Sequence, residues 1–153
     1  MSTDDTFRNP PDDEMRAILA ATRVIAVVGA SPKPERPSYD VMRFLLSRGY
    51  RVIPVNPGQA GKEILGCPVV AALADIGEPI DMVDVFRTPD QVDGIVTELL
   101  ALEPRPKTLW LQIDVIAPDA AARALAAGVD VVMDRCPKIE LMRRVRSPND
   151  AQA

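Results

Sequence analysis

The sequence predicts a single Rossmann-like α/β domain: a doubly wound, mainly parallel five-stranded sheet with helices on both faces. Three observations predict it. Short runs rich in Val, Ile and Leu alternate with segments of helical periodicity from Val24 to Arg144. Those runs are almost continuously apolar, which suits parallel strands buried on both faces, and right-handed crossovers then distribute the helices to both sides. The chain's 153 residues fit one domain large enough to bury a core, and no internal repeat or second domain is visible.

Residues 1–10 are polar and are expected to fray, leaving 11–146 as the domain and 147–153 as a flexible tail. Between Pro11 and Thr22, Met15, Ile18, Leu19 and Thr22 recur at helical spacing behind the acidic start Asp12-Asp13-Glu14. Val24–Val28 is the first strand and ends at Gly29. Pro37 opens the next helix, with Val41, Met42, Leu45 and Leu46 as its stripe and Gly49 as its stop. Val52–Val55 is the second strand, although Pro54 is awkward in a central strand.

Asn56 to Pro68 reads as a long loop, followed by a short extended Val69-Val70 and one helical turn over 71–76. Asp81–Phe86 is the third strand. Thr88-Pro89-Asp90-Gln91 reads as a capping box, opening a helix that buries Val92, Ile95, Val96, Leu99 and Leu100. Thr108–Gln112 is the fourth strand, Pro118–Ala127 an alanine-rich helix stopped by Gly128, Val129–Met133 the fifth strand and Lys138–Arg144 a terminal helix.

Composition narrows the function. With 18 basic and 22 acidic residues the net charge is −4, which argues against general affinity for nucleic acid or anionic lipid. No apolar run approaches the roughly 20 residues of a membrane span, and the start lacks a signal-peptide pattern. Cys67 and Cys136 form neither a disulfide framework nor a zinc motif, so a cytoplasmic setting is expected. The chain has no histidine, which closes off His-based acid–base chemistry, phosphohistidine and His-ligated metal.

Ligands of open α/β sheets sit beyond the carboxyl ends of the strands. The first strand-to-helix turn reads Gly29-Ala30-Ser31-Pro32-Lys33-Pro34-Glu35-Arg36-Pro37-Ser38. Gly29 permits a tight turn, free N–H groups and Ser31 could hold a phosphate at the helix start, and Lys33 and Arg36 add charge. A purely structural turn with solvated cations is the less favoured alternative, since short glycine motifs are weak signals on their own. The turn departs from the dinucleotide fingerprint, with Ser31 for the second glycine and Pro34 for the third. The second strand ends in Val55-Asn56-Pro57 without the carboxylate that would accept ribose hydroxyls, and Lys62 follows. That favours a ligand with a phosphorylated ribose, coenzyme A or NADP, over NAD.

Phe86-Arg87 ends the third strand, where ring and guanidinium could flank an adenine or serve only as core and exposed cap. Trp110 belongs to the core, whereas Gln112, at its strand's end, is placed to meet a ligand. Cys136 reads first as a buried structural thiol, with mixed-disulfide formation with a coenzyme thiol as the alternative; Cys67 is treated alike. No constellation demands an enzyme or a metal.

Five ordered blocks carry a resemblance: Val27-Val28-Gly29-Ala30-Ser31-Pro32-Lys33, Gly49–Pro57, Asp81–Arg87, Leu109–Gln112 and Met133–Glu140. Over residues 12–144 the chain resembles the small stand-alone CoA-binding proteins, which are similar to the CoA-binding domain of the succinyl-CoA synthetase alpha subunit. The resemblance implies coenzyme A or acyl-CoA lying across the strand ends. Gly29, Ser31, Lys33 and Arg36 would map to the phosphate loop, Asn56 and Pro57 to the second-strand edge, and Phe86 and Arg87 to the adenine side; Ala30 and Ser38 of the same turn, Lys62 as a partner for a ribose phosphate, and Gln112 complete the candidate set from their places in the chain. Asp114 stands where the family often has glycine, and Pro137 where an aliphatic residue is usual. The expected function is a non-catalytic or regulatory CoA binder, with a homodimer as its candidate assembly; the alternatives are an NADP-dependent oxidoreductase and an interaction module with a vestigial cleft.

Overall fold

A computed structural model describes residues 7–144. In chain order the elements are α1 (Asp12–Ala21), β1 (Val24–Val28), α2 (Pro37–Ser47), β2 (Arg51–Val55), β3 (Glu63–Ile64), β4 (Cys67–Pro68), β5 (Met82–Val85), α3 (Pro89–Leu100), β6 (Thr108–Leu111), α4 (Pro118–Ala126), β7 (Asp130–Val132) and α5 (Pro137–Arg144). Five strands form a parallel sheet in the order β2-β1-β5-β6-β7. The chain builds outward from β1 to β2 and then crosses back to β5. Strand order therefore reverses between β1 and β5, the switch point at which such sheets open a crevice.

Alternation along the strands divides the core into two layers. Ile25, Val27, Met82, Trp110 and Val132 face Met15 and Leu19 of α1, Val41, Met42 and Leu45 of α2, and Leu141 of α5. Ala26, Val28, Val83, Val85, Leu109 and Leu111 face Val92, Ile95, Val96 and Leu99 of α3 and the small Ala120, Ala121 and Ala124 of α4. Trp110 is fully buried, and its indole N–H donates to the Arg135 carbonyl at 2.9 Å.

Four expectations change. Pro54 does lie in a sheet strand, but β2 is an edge of the five-stranded sheet, which is where proline is tolerated. The returning chain covers that edge: the Val70 N–H donates to the Pro54 carbonyl and the Asn56 N–H to the Val70 carbonyl. The loop over 56–68 contains the hairpin β3–β4, paired Glu63 with Pro68 and Ile64 with Cys67. Its two-residue turn places Leu65 and Gly66 at φ 53 and 78, where a leucine is not the usual signal; partial burial of Leu65 against the α1/α2/α5 layer favours it there.

Thr88 is the N-cap of α3 yet makes no side-chain cap bond, because its main-chain carbonyl takes the Gln91 N–H at 2.9 Å. Finally, Asn9 is tied to the sheet rather than frayed. Its amide exchanges two hydrogen bonds with the Met133 main chain, at 2.9 and 2.7 Å. The expectations for 1–6 and for the tail 147–153 lie outside the described residues. Among the described residues no helix is long and apolar enough to cross a membrane.

Candidate functional site

The turn leaving β1 is fixed by close approach to β5. Gly29 sits at φ 90, and a Cβ on it would meet the Phe86 carbonyl oxygen at 2.7 Å. Only glycine lets the chain turn there at the switch point. The Gly29 N–H donates to the Val55 carbonyl at 3.0 Å and the Phe86 N–H to the Val28 carbonyl at 2.8 Å, so three strand ends are held in register. Beyond Gly29 the loop closes on itself: the Ser31 N–H donates to Ser38 Oγ at 3.1 Å and the Lys33 N–H to Ser31 Oγ at 3.2 Å. Two N–H groups expected to be free for an anion are thus engaged within the loop. The first turn of α2, by contrast, carries no side-chain cap, and its N-terminal partial positive charge faces the turn.

Above the switch point lies a cleft of about 1000 Å³. Of the sequence-nominated residues, Gly29, Ala30, Ser31, Lys33, Arg36, Ser38, Asn56, Phe86, Arg87 and Gln112 line it. Pro57 lines an adjoining depression, together with Arg87. Lys62 is exposed and lines neither, because its main chain is bound into the approach to β3, with its carbonyl accepting the Val69 N–H. Asn56 acts as a brace: its Nδ2 donates to the Ala30 carbonyl at 2.7 Å and its Oδ1 accepts from the Gly58 N–H at 2.9 Å.

Charge distinguishes this cleft. The side chains of Lys33, Arg36 and Arg87 have no hydrogen-bonded or ion-paired partner among the described residues. Arg87 folds over the same turn, its Cδ 3.3 Å from where a Cβ on Gly29 would stand. A fourth cation, Lys138 of α5, was missed by the sequence reading. It lines the cleft but is neutralised by Asp40 of α2 at 2.6 Å. Hydrogen bonding from Lys138, and then from Arg43, holds the Asp40 carboxyl below its ordinary range. Only the packing of α5 against α2 reveals this pair, since the two residues are 98 positions apart.

The far end of the cleft is built from the loops after β6 and β7. Gln112, Ile113, Asp114, Val115, Cys136 and Ile139 line it. Asp114 and Asp134 both adopt positive φ, 72 and 59, and the Asp114 N–H donates to Asp134 Oδ1 at 2.8 Å. The left-handed backbone at Asp114 is one that glycine adopts freely and a short polar side chain also tolerates. Pro137 is the first residue of α5, a position its fixed φ suits. Gln112 is 7% exposed and its Oε1 has no partner.

In β5, both oxygens of Asp84 are buried without a partner among the described residues, and desolvation pushes its carboxyl well above the ordinary value. Asp84 does not line the cleft. Cys67 is half-buried on the hairpin, and burial pushes its thiol up.

An open doubly wound sheet with a glycine turn at its switch point defines a Rossmann-like domain. The comparison with known families agrees and is more specific: residues 23–142 match the CoA binding domain, and the chain belongs to that family. It is 37% identical over 133 residues to the uncharacterized protein YneT of Bacillus subtilis (strain 168), spanning 87% of this chain and 96% of that one. It is 43% identical to the protein cell-free ID.343 of Thermus thermophilus, with a TM-score of 0.83 over 88% of this chain and 98% of that one. It also resembles apo acetyl-coenzyme A synthetase 1 of Ca. Korarchaeum cryptofilum, with a TM-score of 0.59 and 24% identity over 71% of this chain and 25% of that one. That last likeness is one of fold.

Proposed function

We propose that this protein binds coenzyme A or an acyl-CoA in the switch-point cleft, as a non-catalytic or regulatory binder. The pyrophosphate lies against Gly29-Ala30-Ser31 and the start of α2, with Lys33 and Arg36 as counter-charges. Phe86 and Arg87 flank the adenine, and the pantetheine arm runs toward Gln112. The observation that carries this reading is the set of three unpaired cations around one cleft in a chain of net charge −4. Coenzyme A brings a pyrophosphate and a 3′-phosphate to meet them, and no carboxylate at the end of β2 repels the latter. The cleft volume, about 1000 Å³, is at the upper end of small-molecule sites. A cytosolic setting accords with this ligand.

Thermal unfolding with CoA, 3′-dephospho-CoA, NAD and NADP at matched concentration tests the proposal. A ligand at 100 times its Kd adds about 2.7 kcal/mol, worth about 5–10 °C for a chain of this size. The expected result is a clear shift with CoA and a smaller one without the 3′-phosphate. A shift with NADP alone would transfer the site to an oxidoreductase, and no shift with any ligand would leave a protein-interaction module. Light scattering on the same samples separates a monomer from the homodimer common among small domains.

A further inference from the structure

The far end of the cleft is lined by a cysteine, Cys136, and here we go one step past binding while resting on the coenzyme A reading above. We propose that Cys136 is a modification site that captures the coenzyme as a mixed disulfide by exchange with its disulfide form.

Placement is the first support. Cys136 lines the same cleft as the Gly29–Ser31 loop, in the turn after β7. β7 lies three strand positions from β1 across the sheet, about 14 Å at ordinary strand spacing. A pantetheine arm with its two amides is about as long as four extended residues, again roughly 14 Å. A ligand anchored by its pyrophosphate at the β1 turn therefore delivers its sulfur to the level of Cys136.

Gln112 is the second, independent support. It lines the cleft between the two ends, is 7% exposed, and its Oε1 is buried with no donor among the described residues. A buried amide oxygen without a donor is costly in a finished protein. The N–H groups of a pantetheine arm are the chemistry that would satisfy it. The intervening wall is apolar, with Ile113 and Ile139 exposed by 47% and 43%.

Rigidity is the third. The turn that carries Cys136 is laced to the β6 loop: Trp110 Nε1 donates to the Arg135 carbonyl, the Arg135 N–H to the Leu111 carbonyl, and the Asp114 N–H to Asp134 Oδ1. The Cys136 carbonyl accepts the Glu140 N–H, which fixes the main chain of this 6% exposed residue at the start of α5. Cys67 has none of this: it sits in β4 and does not line the cleft.

The chemistry is thiol–disulfide exchange with coenzyme A disulfide, or another mixed disulfide of coenzyme A, as co-reactant. Cys136 Sγ gives its proton to solvent and attacks the coenzyme sulfur. An S–S bond forms between Cys136 and coenzyme A, the original S–S bond breaks, and the departing thiolate takes up a proton. One disulfide is consumed and one is made, so no external oxidant is needed.

The test incubates the intact protein with coenzyme A disulfide and, separately, with glutathione disulfide, following whole-protein mass and mapping the modified peptide. Reduced coenzyme A binding is measured in parallel by calorimetry. Holding the reactant in the cleft should raise its rate at least about 100-fold over the glutathione reagent, with the adduct on Cys136, retained in Cys67→Ser and released by a reducing agent. Calorimetric binding without an adduct on Cys136, or rates within about threefold of glutathione disulfide, would overturn the capture and leave the binding reading standing. Absence of calorimetric binding would overturn both.

Discussion

Replacing Gly29 by alanine should cost far more than the same change at Gly49, although both residues have φ 90. Placing a Cβ on a left-handed backbone costs about 1–2 kcal/mol at either position. At Gly49 the added methyl meets nothing within 4 Å. At Gly29 it meets the Phe86 carbonyl oxygen at 2.7 Å and carbon at 3.0 Å, atoms of backbone that no rotamer change can move. Relief requires β1 and β5 to separate at their carboxyl ends, at the expense of the 2.8 Å bond from the Phe86 N–H to the Val28 carbonyl. Such a bond is worth about 0.5–1.5 kcal/mol net, so Gly29→Ala should lose about 1.5–3.5 kcal/mol in total. Urea unfolding of the two variants beside the parent measures this, and the midpoint temperature should fall by roughly 2–4 °C per kcal/mol. Equal losses for the two variants would refute the close approach of β1 to β5.

Further outcomes follow from charge and burial. Lys33→Ala and Arg36→Ala should each weaken coenzyme A by about 1–3 kcal/mol if they donate charge-assisted bonds, while Lys62→Ala, outside the cleft, should change it far less; calorimetry on the double variant with unchanged affinity would remove both from the site. Asp84 has a raised folded-state carboxyl, so the native state holds the proton more tightly than the unfolded chain. Its contribution is therefore most favourable below the ordinary Asp range and is lost as pH rises toward its folded value. Asp84→Asn should flatten that slope in denaturation midpoints collected across pH. Asp40 has the opposite sign: its depressed carboxyl stabilises above the ordinary Asp range, and that contribution disappears as pH falls through its folded value. Being partly exposed, it should give a small effect, read as a weaker acid-side loss in Asp40→Asn.

The sheet strands, the five helices and ten of the twelve nominated cleft residues were legible because each rests on local pattern. An apolar run ending in Gly29 announces both a buried strand and the turn after it, and strand ends gather wherever the sheet puts them. Three features were not legible. The Leu65–Gly66 turn uses a residue whose fitness there depends on partial burial. The Lys138–Asp40 pair exists only through helix packing. The hydroxyl oxygens of Ser31 and Ser38 also brace the loop by accepting the Lys33 and Ser31 N–H groups, a role visible only in their hydrogen bonds.

The most direct test of the binding site is amide chemical-shift mapping of the isotopically labelled protein during titration with coenzyme A. The binding proposed above predicts saturable shifts centred on Gly29, Ala30, Ser31, Phe86 and Gln112, the residues on the three strand ends around the switch point. Shifts that leave those amides unmoved and gather instead in the separate depression around Arg8, Ala17 and Lys107, at the opposite ends of the strands, would contradict it.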